Sequence, residues 1–263
     1  MFTQSNPAIY YEKTGHGVPI LFIPPPAMGH LTFRYQTLLR QYFTILTFDP
    51  RGDGNSRVSG KDITLDNCLS DIERLLKENK IEKAVICGYS NGGLLAQQFV
   101  LHYPEQAIGL ILIDSFFHPT NLLLRLEYLL GITIATYRAI PLLAKGLALS
   151  HFPIDKEAAE MERAVKKTNT ALLKQHYRLG FTSNLTKHLQ KVKVPLLLIY
   201  GAHDYYVQHA QYGFRKHIED VDVAYVHLAA HQVPTRHYRE CNAIIYDWMK
   251  RKILCNGDDS NHL

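Results

Sequence analysis

The stretch Ala84-Val85-Ile86-Cys87-Gly88-Tyr89-Ser90-Asn91-Gly92-Gly93 sets a serine between two glycines, where an apolar run passes into a helical pattern. This G-x-S-x-G spacing reads as a nucleophile elbow, a serine on a sharp strand-to-helix turn with its hydroxyl held above a sheet. Gly88 and Gly92 leave room for the flanking main chain. The helix expected from about Gly92 to Tyr103 points its positive end at any oxyanion formed beside Ser90.

Working outward, short apolar runs recur at Pro19–Ile23, Phe43–Phe48, Ala84–Cys87, Leu110–Ile113 and Pro195–Tyr200. Runs of this length suit strands of a parallel sheet covered on both faces. Between two of them, Asp66 to Lys80 places Leu69, Ile72, Leu75 and Leu76 at helical spacing, with Thr64 as N-cap. The alternation predicts an α/β fold with a mostly parallel, doubly wound sheet. Ala8 to Glu12 is expected as an antiparallel edge strand and Val221 to Leu228 as the last parallel one.

The alternation stops after Asp114, and a long helical pattern punctuated by Pro119, Pro141 and Pro153 runs to the strand at Pro195. It reads as an inserted helical lid over residues 116–194, with a core domain built from 1–115 and 195–263. Leu122 to Leu149 is dense in Leu and Ile, whereas Asp155 to Gln190 is charged and amphipathic. Ligands of open α/β sheets bind at the carboxyl ends of the strands, where this insert emerges. The polar tail from Asn256 to Leu263 is expected to fray.

Composition narrows the function classes. A chain of 263 residues that is 46% hydrophobic can bury one large core. Of a net charge of +5, the insert holds 12 Lys and Arg against 5 Asp and Glu. No tight Lys/Arg cluster interleaved with aromatics marks a nucleic-acid surface. The longest uncharged apolar run of the insert, Tyr128 to Tyr137, is about half a membrane span, so membrane contact is not expected. The N-terminal residues lack a signal-peptide pattern, and Cys68, Cys87, Cys241 and Cys255 show neither disulfide nor metal spacing. The expectation is a cytoplasmic protein with free thiols and no metal or cofactor.

A serine is a poor nucleophile at neutral pH until a neutral imidazole accepts its proton. Of 14 histidines, His231 lies in the loop after the last expected strand, at the same sheet edge as Ser90. A carboxylate must then fix the imidazole. Asp204, a short turn after the strand ending at Tyr200, fits this role, and Asp114 at the end of the preceding strand is its competitor.

On these residues the chain resembles the α/β-hydrolase superfamily, of the lidded serine hydrolase or esterase type, over nearly its whole length. The order Ser90, Asp204, His231 matches the superfamily's Ser…Asp…His order. Asp49-Pro50-Arg51-Gly52-Asp53-Gly54-Asn55-Ser56 resembles its D-x-R-G-x-G-x-S turn, and Asp71 also fits its pattern. The lid lies where the family inserts one, after its sixth strand. The departure is at the oxyanion hole. Where relatives carry His-Gly, this chain has Pro24-Pro25-Pro26-Ala27-Met28-Gly29, and the matching donor position, Pro26, has no N–H. The resemblance then implies Asn91 as one oxyanion donor, with Ala27 or Met28 supplying the other through a different turn.

These features predict a serine hydrolase cleaving a carboxylic ester, thioester or lactone with an apolar acyl group. Tyr205 and Tyr206 beside Asp204, Phe116 and Phe117 after the sixth strand and the Leu-rich lid suggest an apolar acyl site, with Tyr205 and Phe116 expected to contact a small-molecule, ester-like substrate. A small-molecule sensor on the same fold, or a carbon–carbon hydrolase or perhydrolase using the same three residues, is the alternative. A serine in the elbow disfavours the aspartate-dependent dehalogenases and epoxide hydrolases.

Overall fold

The computed structural model describes residues 1–56, 58 and 63–255. The expected fraying tail, Asn256 to Leu263, lies outside the described residues. Seven strands form one sheet: β1 (Tyr11–Thr14), β2 (Pro19–Ile23), β3 (Thr44–Phe48), β4 (Ala84–Tyr89), β5 (Ala107–Ile113), β6 (Leu196–Gly201) and β7 (Val221–Val226). Their spatial order is β1-β3-β2-β4-β5-β6-β7, parallel throughout except for the edge strand β1, which pairs antiparallel with β3.

Strand periodicity sorts each run onto two faces. On β4, Ala84 and Ile86 join Leu21, Leu46, Leu110 and Leu198 on one face. Helices α1 (Leu65–Glu78) and α2 (Gly92–His102) cover that face with Leu69, Ile72, Leu76 and Phe99. Val85, Cys87 and Tyr89 face the other side, against Cys241, Ile245 and Trp248 of a C-terminal helix (Tyr238–Trp248). Both layers are close to fully buried, which is why the strands read as continuous apolar runs. Thr64 caps α1 as expected, its side chain accepting from the N–H of Asn67 at 3.1 Å.

The chain that links β5 to β6 carries four helices: α3 (Leu122–Thr136), α4 (Ile140–His151), α5 (Asp155–Val165) and α6 (Thr170–Thr182). It follows the fifth strand of this sheet, because the stretch that would raise the count, Phe2 against Tyr10, makes only an isolated bridge. α3 packs along α6 and α4 along α5. Gly131 permits the first contact, since a Cβ there would come within 2.7 Å of the Tyr177 ring. α3 buries Leu124, Tyr128 and Ala135 and leaves Leu122, Leu123, Leu126, Leu129 and Leu130 exposed.

The turn after β3 anchors this helical layer to the sheet. Arg51 grips both carboxylate oxygens of Asp71 on α1, at 2.6 and 2.7 Å, in a nearly buried pair. Its carbonyl accepts from Nε2–H of His176 on α6 at 3.1 Å, and the carbonyl of Gly52 accepts from the N–H of Asn169 at 2.8 Å. Three elements therefore meet at one polar knot beneath the helices.

Candidate active site

β4 delivers the elbow. Ser90 sits at φ +50°, in the left-handed region that costs a β-carbon residue energy and persists only where its surroundings fix it. Its N–H is tied to the carbonyl of Ile113 on β5 at 2.9 Å. Its carbonyl accepts from the N–H of Gly93 at 3.0 Å and from the Ser115 hydroxyl at 2.8 Å. The glycines are demanded by contact. A Cβ on Gly88 would lie 2.5 Å from the Gly93 Cα, and one on Gly92 would lie 2.4 Å from the Ile23 carbonyl oxygen. The tight turn places Ser90 just ahead of α2, with Asn91 as that helix's N-cap residue.

β6 and β7 bring up the other expected residues. Asp204 follows β6 through a turn closed by its N–H on the carbonyl of Gly201, at 3.0 Å, and His231 lies in the loop after β7. Nδ1 of His231 is 2.7 Å from Oδ2 of Asp204, and Nε2 is 2.8 Å from Oγ of Ser90. With Nδ1–H donated to the carboxylate, Nε2 is left to accept the serine proton. Residues 141 positions apart thus form one hydrogen-bonded line. Asp114 is not the direct partner of His231: its Oδ1 accepts from the N–H of Gly201 at 2.8 Å. Tyr89 braces the loop from beneath by donating its hydroxyl to the carbonyl of His231 at 2.9 Å.

Ser90 and His231 open into a cavity of about 80 Å³, walled by Pro25, Pro26, Met28, Phe116, Leu124 and Leu147. α3 adds Glu127 and Tyr128, which sequence reasoning missed because nothing in a leucine-rich helix says which turn faces a pocket. Tyr128 donates its hydroxyl to Oδ1 of Asn91 at 2.7 Å, fixing the residue after the serine. Partial desolvation raises the carboxyl of Glu127, an otherwise exposed residue, above its usual range, against the opposing pull of His231. Burial also lowers His151, another lining residue, to about 4, so it is neutral near pH 7.

Two expected positions differ. Tyr205 is 65% exposed, because the turn after Asp204 throws its ring outward against His203. It is Tyr206 whose ring faces His231, with centroids 5.3 Å apart. Phe116, by contrast, is buried in the pocket wall. The second correction concerns Ala27. It adopts φ +71°, and its N–H donates to Oδ2 of Asp53 at 2.7 Å, so it is not presented to an oxyanion. The N–H of Met28 turns back to the carbonyl of Pro25 at 3.3 Å. Asp53 is fully enclosed, and that burial pushes its carboxyl up to about 8.

Comparison with known proteins agrees with this architecture. Serine hydrolase BPHL of Homo sapiens is 24% identical over 92% of this chain and 83% of its own. The enol-lactonase from Burkholderia xenovorans LB400 superposes with a TM-score of 0.82, at 17% identity, over 95% of this chain and all of the other. An esterase from Exiguobacterium antarcticum superposes equally well at 18% identity, over 95% of this chain and 98% of the other. The sequence profile of the family described as serine aminopeptidase, S33, matches residues 31–235. With that match over most of its length, the chain belongs to the serine aminopeptidase S33 family of hydrolases, within the α/β-hydrolase superfamily.

Proposed function

We propose that this hydrolase cleaves a carboxylic ester, thioester or lactone through an acyl-enzyme on Ser90. Ser90 attacks the acyl carbon as His231 accepts its proton, and Asp204 holds the imidazole in the tautomer that can do so. The N–H of Asn91, at the positive end of α2, stabilises the tetrahedral oxyanion. His231 returns the proton to the leaving group, then activates the water that releases the acid. The observation that carries this reading is the continuous Ser90–His231–Asp204 hydrogen-bond line opening onto a cavity.

The cavity favours a short apolar acyl group, since about 80 Å³ is well below the roughly 300 Å³ at which pockets for larger ligands begin. We assign residues 116–194 the role of a lid, because its side chains Leu124, Glu127, Tyr128, Leu147 and His151 form the roof. Three cysteines buried as free thiols fit a cytoplasmic location. Nitrophenyl esters of increasing acyl length, assayed on wild type and Ser90→Ala, test the reading. Turnover should be greatest for the shortest chains and fall to the uncatalysed rate in the variant. Equal turnover by both proteins would sink it.

A slow or sensing relative is the second reading, favoured by the engagement of Ala27 with Asp53. Loss of one oxyanion donor costs about 2.7 to 4 kcal/mol of transition-state stabilisation. A sensor would turn over far below about one per second, the low end for enzymes, and would gain thermal stability from an unreactive ester analogue.

A further inference from the structure

Behind the site lies a second buried carboxyl that the proposed mechanism does not use. Asp114 follows β5 at φ +43° and is fully buried, a strained position for a residue with a β-carbon. Oδ1 of Asp114 accepts from the N–H of Gly201 at 2.8 Å. Its Oδ2 and Oδ1 of Asp204 are buried and have no hydrogen-bond partner. The two carboxyls lie side by side, one oxygen of each within 4.8 Å of the other and of a His231 ring nitrogen.

Two buried carboxyl oxygens this close, each without a partner, can satisfy one another only if one of them carries a proton. We propose that Asp114 and Asp204 hold one proton between them, carried on Asp114 and donated to Oδ1 of Asp204, making Asp114 a positioning residue for the acid that orients His231. This rests on Ser90, His231 and Asp204 acting as proposed above. Adjacent buried carboxylates without a cation cannot both ionise at low cost. The groups facing Asp114 are Tyr89 from β4, Tyr200 from β6, Tyr206 and Asp204 from the following turn, Cys241 from the C-terminal helix, and His231. None is a fixed cation, and the Nδ1–H of His231 is already spent on Oδ2 of Asp204. Burial and the Asp204 charge both drive Asp114 upward, the direction that keeps the proton.

The consequence is geometric and electrostatic. Asp204 has one oxygen on His231 and the other on Asp114, which locks its plane and hence the imidazole ring. Only one negative charge then faces the imidazolium that forms as Ser90 attacks, and no proton moves between the carboxyls during turnover.

Asp114→Asn separates a protonated from an ionised Asp114, because an amide keeps the donor and changes the local charge only if the carboxyl was ionised. The pH dependence of kcat/KM for a nitrophenyl ester should show an acid limb at the same pH in wild type and Asp114→Asn. An ionised Asp114 at this range would have held the His231 titration up by at least about one pH unit, so a downward shift of that size in the variant overturns the proposal. Asp114→Leu, which removes the donor, should lower kcat/KM about tenfold or more, and Asp114→Asn should recover most of that loss. Infrared difference spectra of the resting protein need no turnover. At pH 7 wild type should show the carbonyl band of a buried protonated carboxylic acid beyond the Asp53 band that both proteins share, and Asp114→Asn should lack that additional band. A wild type without that band refutes the shared proton even if Ser90 proves unreactive, while a protein with the band and no activity points instead to failure of the hydrolase reading.

Discussion

At the scale of single residues, the site depends on backbone conformations that side-chain-bearing residues ordinarily avoid. Ser90, Asp114 and Ala27 all sit at positive φ, and each touches the machinery around the pocket. Ser90, Asp204 and His231 were legible in the sequence because each follows a strand end, and strand ends are marked by where an apolar run stops. The Asp53–Ala27 bond was not legible: it joins residues 26 apart through a loop whose path no periodicity describes. That Tyr205 points outward while Tyr206 faces His231 is hidden for the same reason, since side-chain direction in a turn does not alternate regularly. Asp204→Asn should lower kcat/KM by about 10⁴, through the wrong His231 tautomer, measured with a short-chain nitrophenyl ester. Tyr128→Phe leaves Oδ1 of Asn91 without its donor and should reduce kcat a few-fold to tenfold, in line with about 1 kcal/mol for a single hydrogen bond. An unchanged kcat there would remove Tyr128 from the support of the oxyanion donor.

At the scale of elements, the sheet was read more accurately than its edge. The interior strands coincide with the apolar runs to within a few residues because both of their faces are buried. The edge strand lies at Tyr11–Thr14 rather than Ala8–Glu12, since Ile9 leaves the ladder to pack in the core and the N–H of Tyr10 is taken by the Ser56 hydroxyl. How the helices between β5 and β6 pack exceeded what composition could say, because α3 exposes several leucines and so does not follow the rule that apolar means inward. The elbow itself is an element defined by contact. Gly92→Ala forces a methyl against the Ile23 and Pro24 carbonyls and should cost about 1–3 kcal/mol of stability, read as a lower denaturant midpoint. A variant as stable as wild type would mean that this turn has more room than the structure gives it.

At the scale of the whole molecule, buried titratable groups set how stability varies with pH. Asp53, raised to about 8, contributes stability that is complete below its ordinary value of 3.8 and is lost as pH rises through about 8. His151 and His176, each lowered to about 4 by burial, contribute stability that is present above their ordinary value of 6.5 and is lost as pH falls toward 4. Between pH 6.5 and 8 the histidines are constant, so the melting temperature should fall with pH, and Asp53→Asn should flatten the fall. A melting temperature that rises over this window in wild type would contradict the burial of Asp53 as a proton-bearing acid. The most direct measurement is intact-mass analysis after treatment with a fluorophosphonate, on wild type and Ser90→Ala. A single adduct on wild type, mapped to Ser90 and missing from the variant, is the expected result, whereas an adduct that persists in Ser90→Ala, or folded wild type that takes none, would contradict Ser90 as the nucleophile.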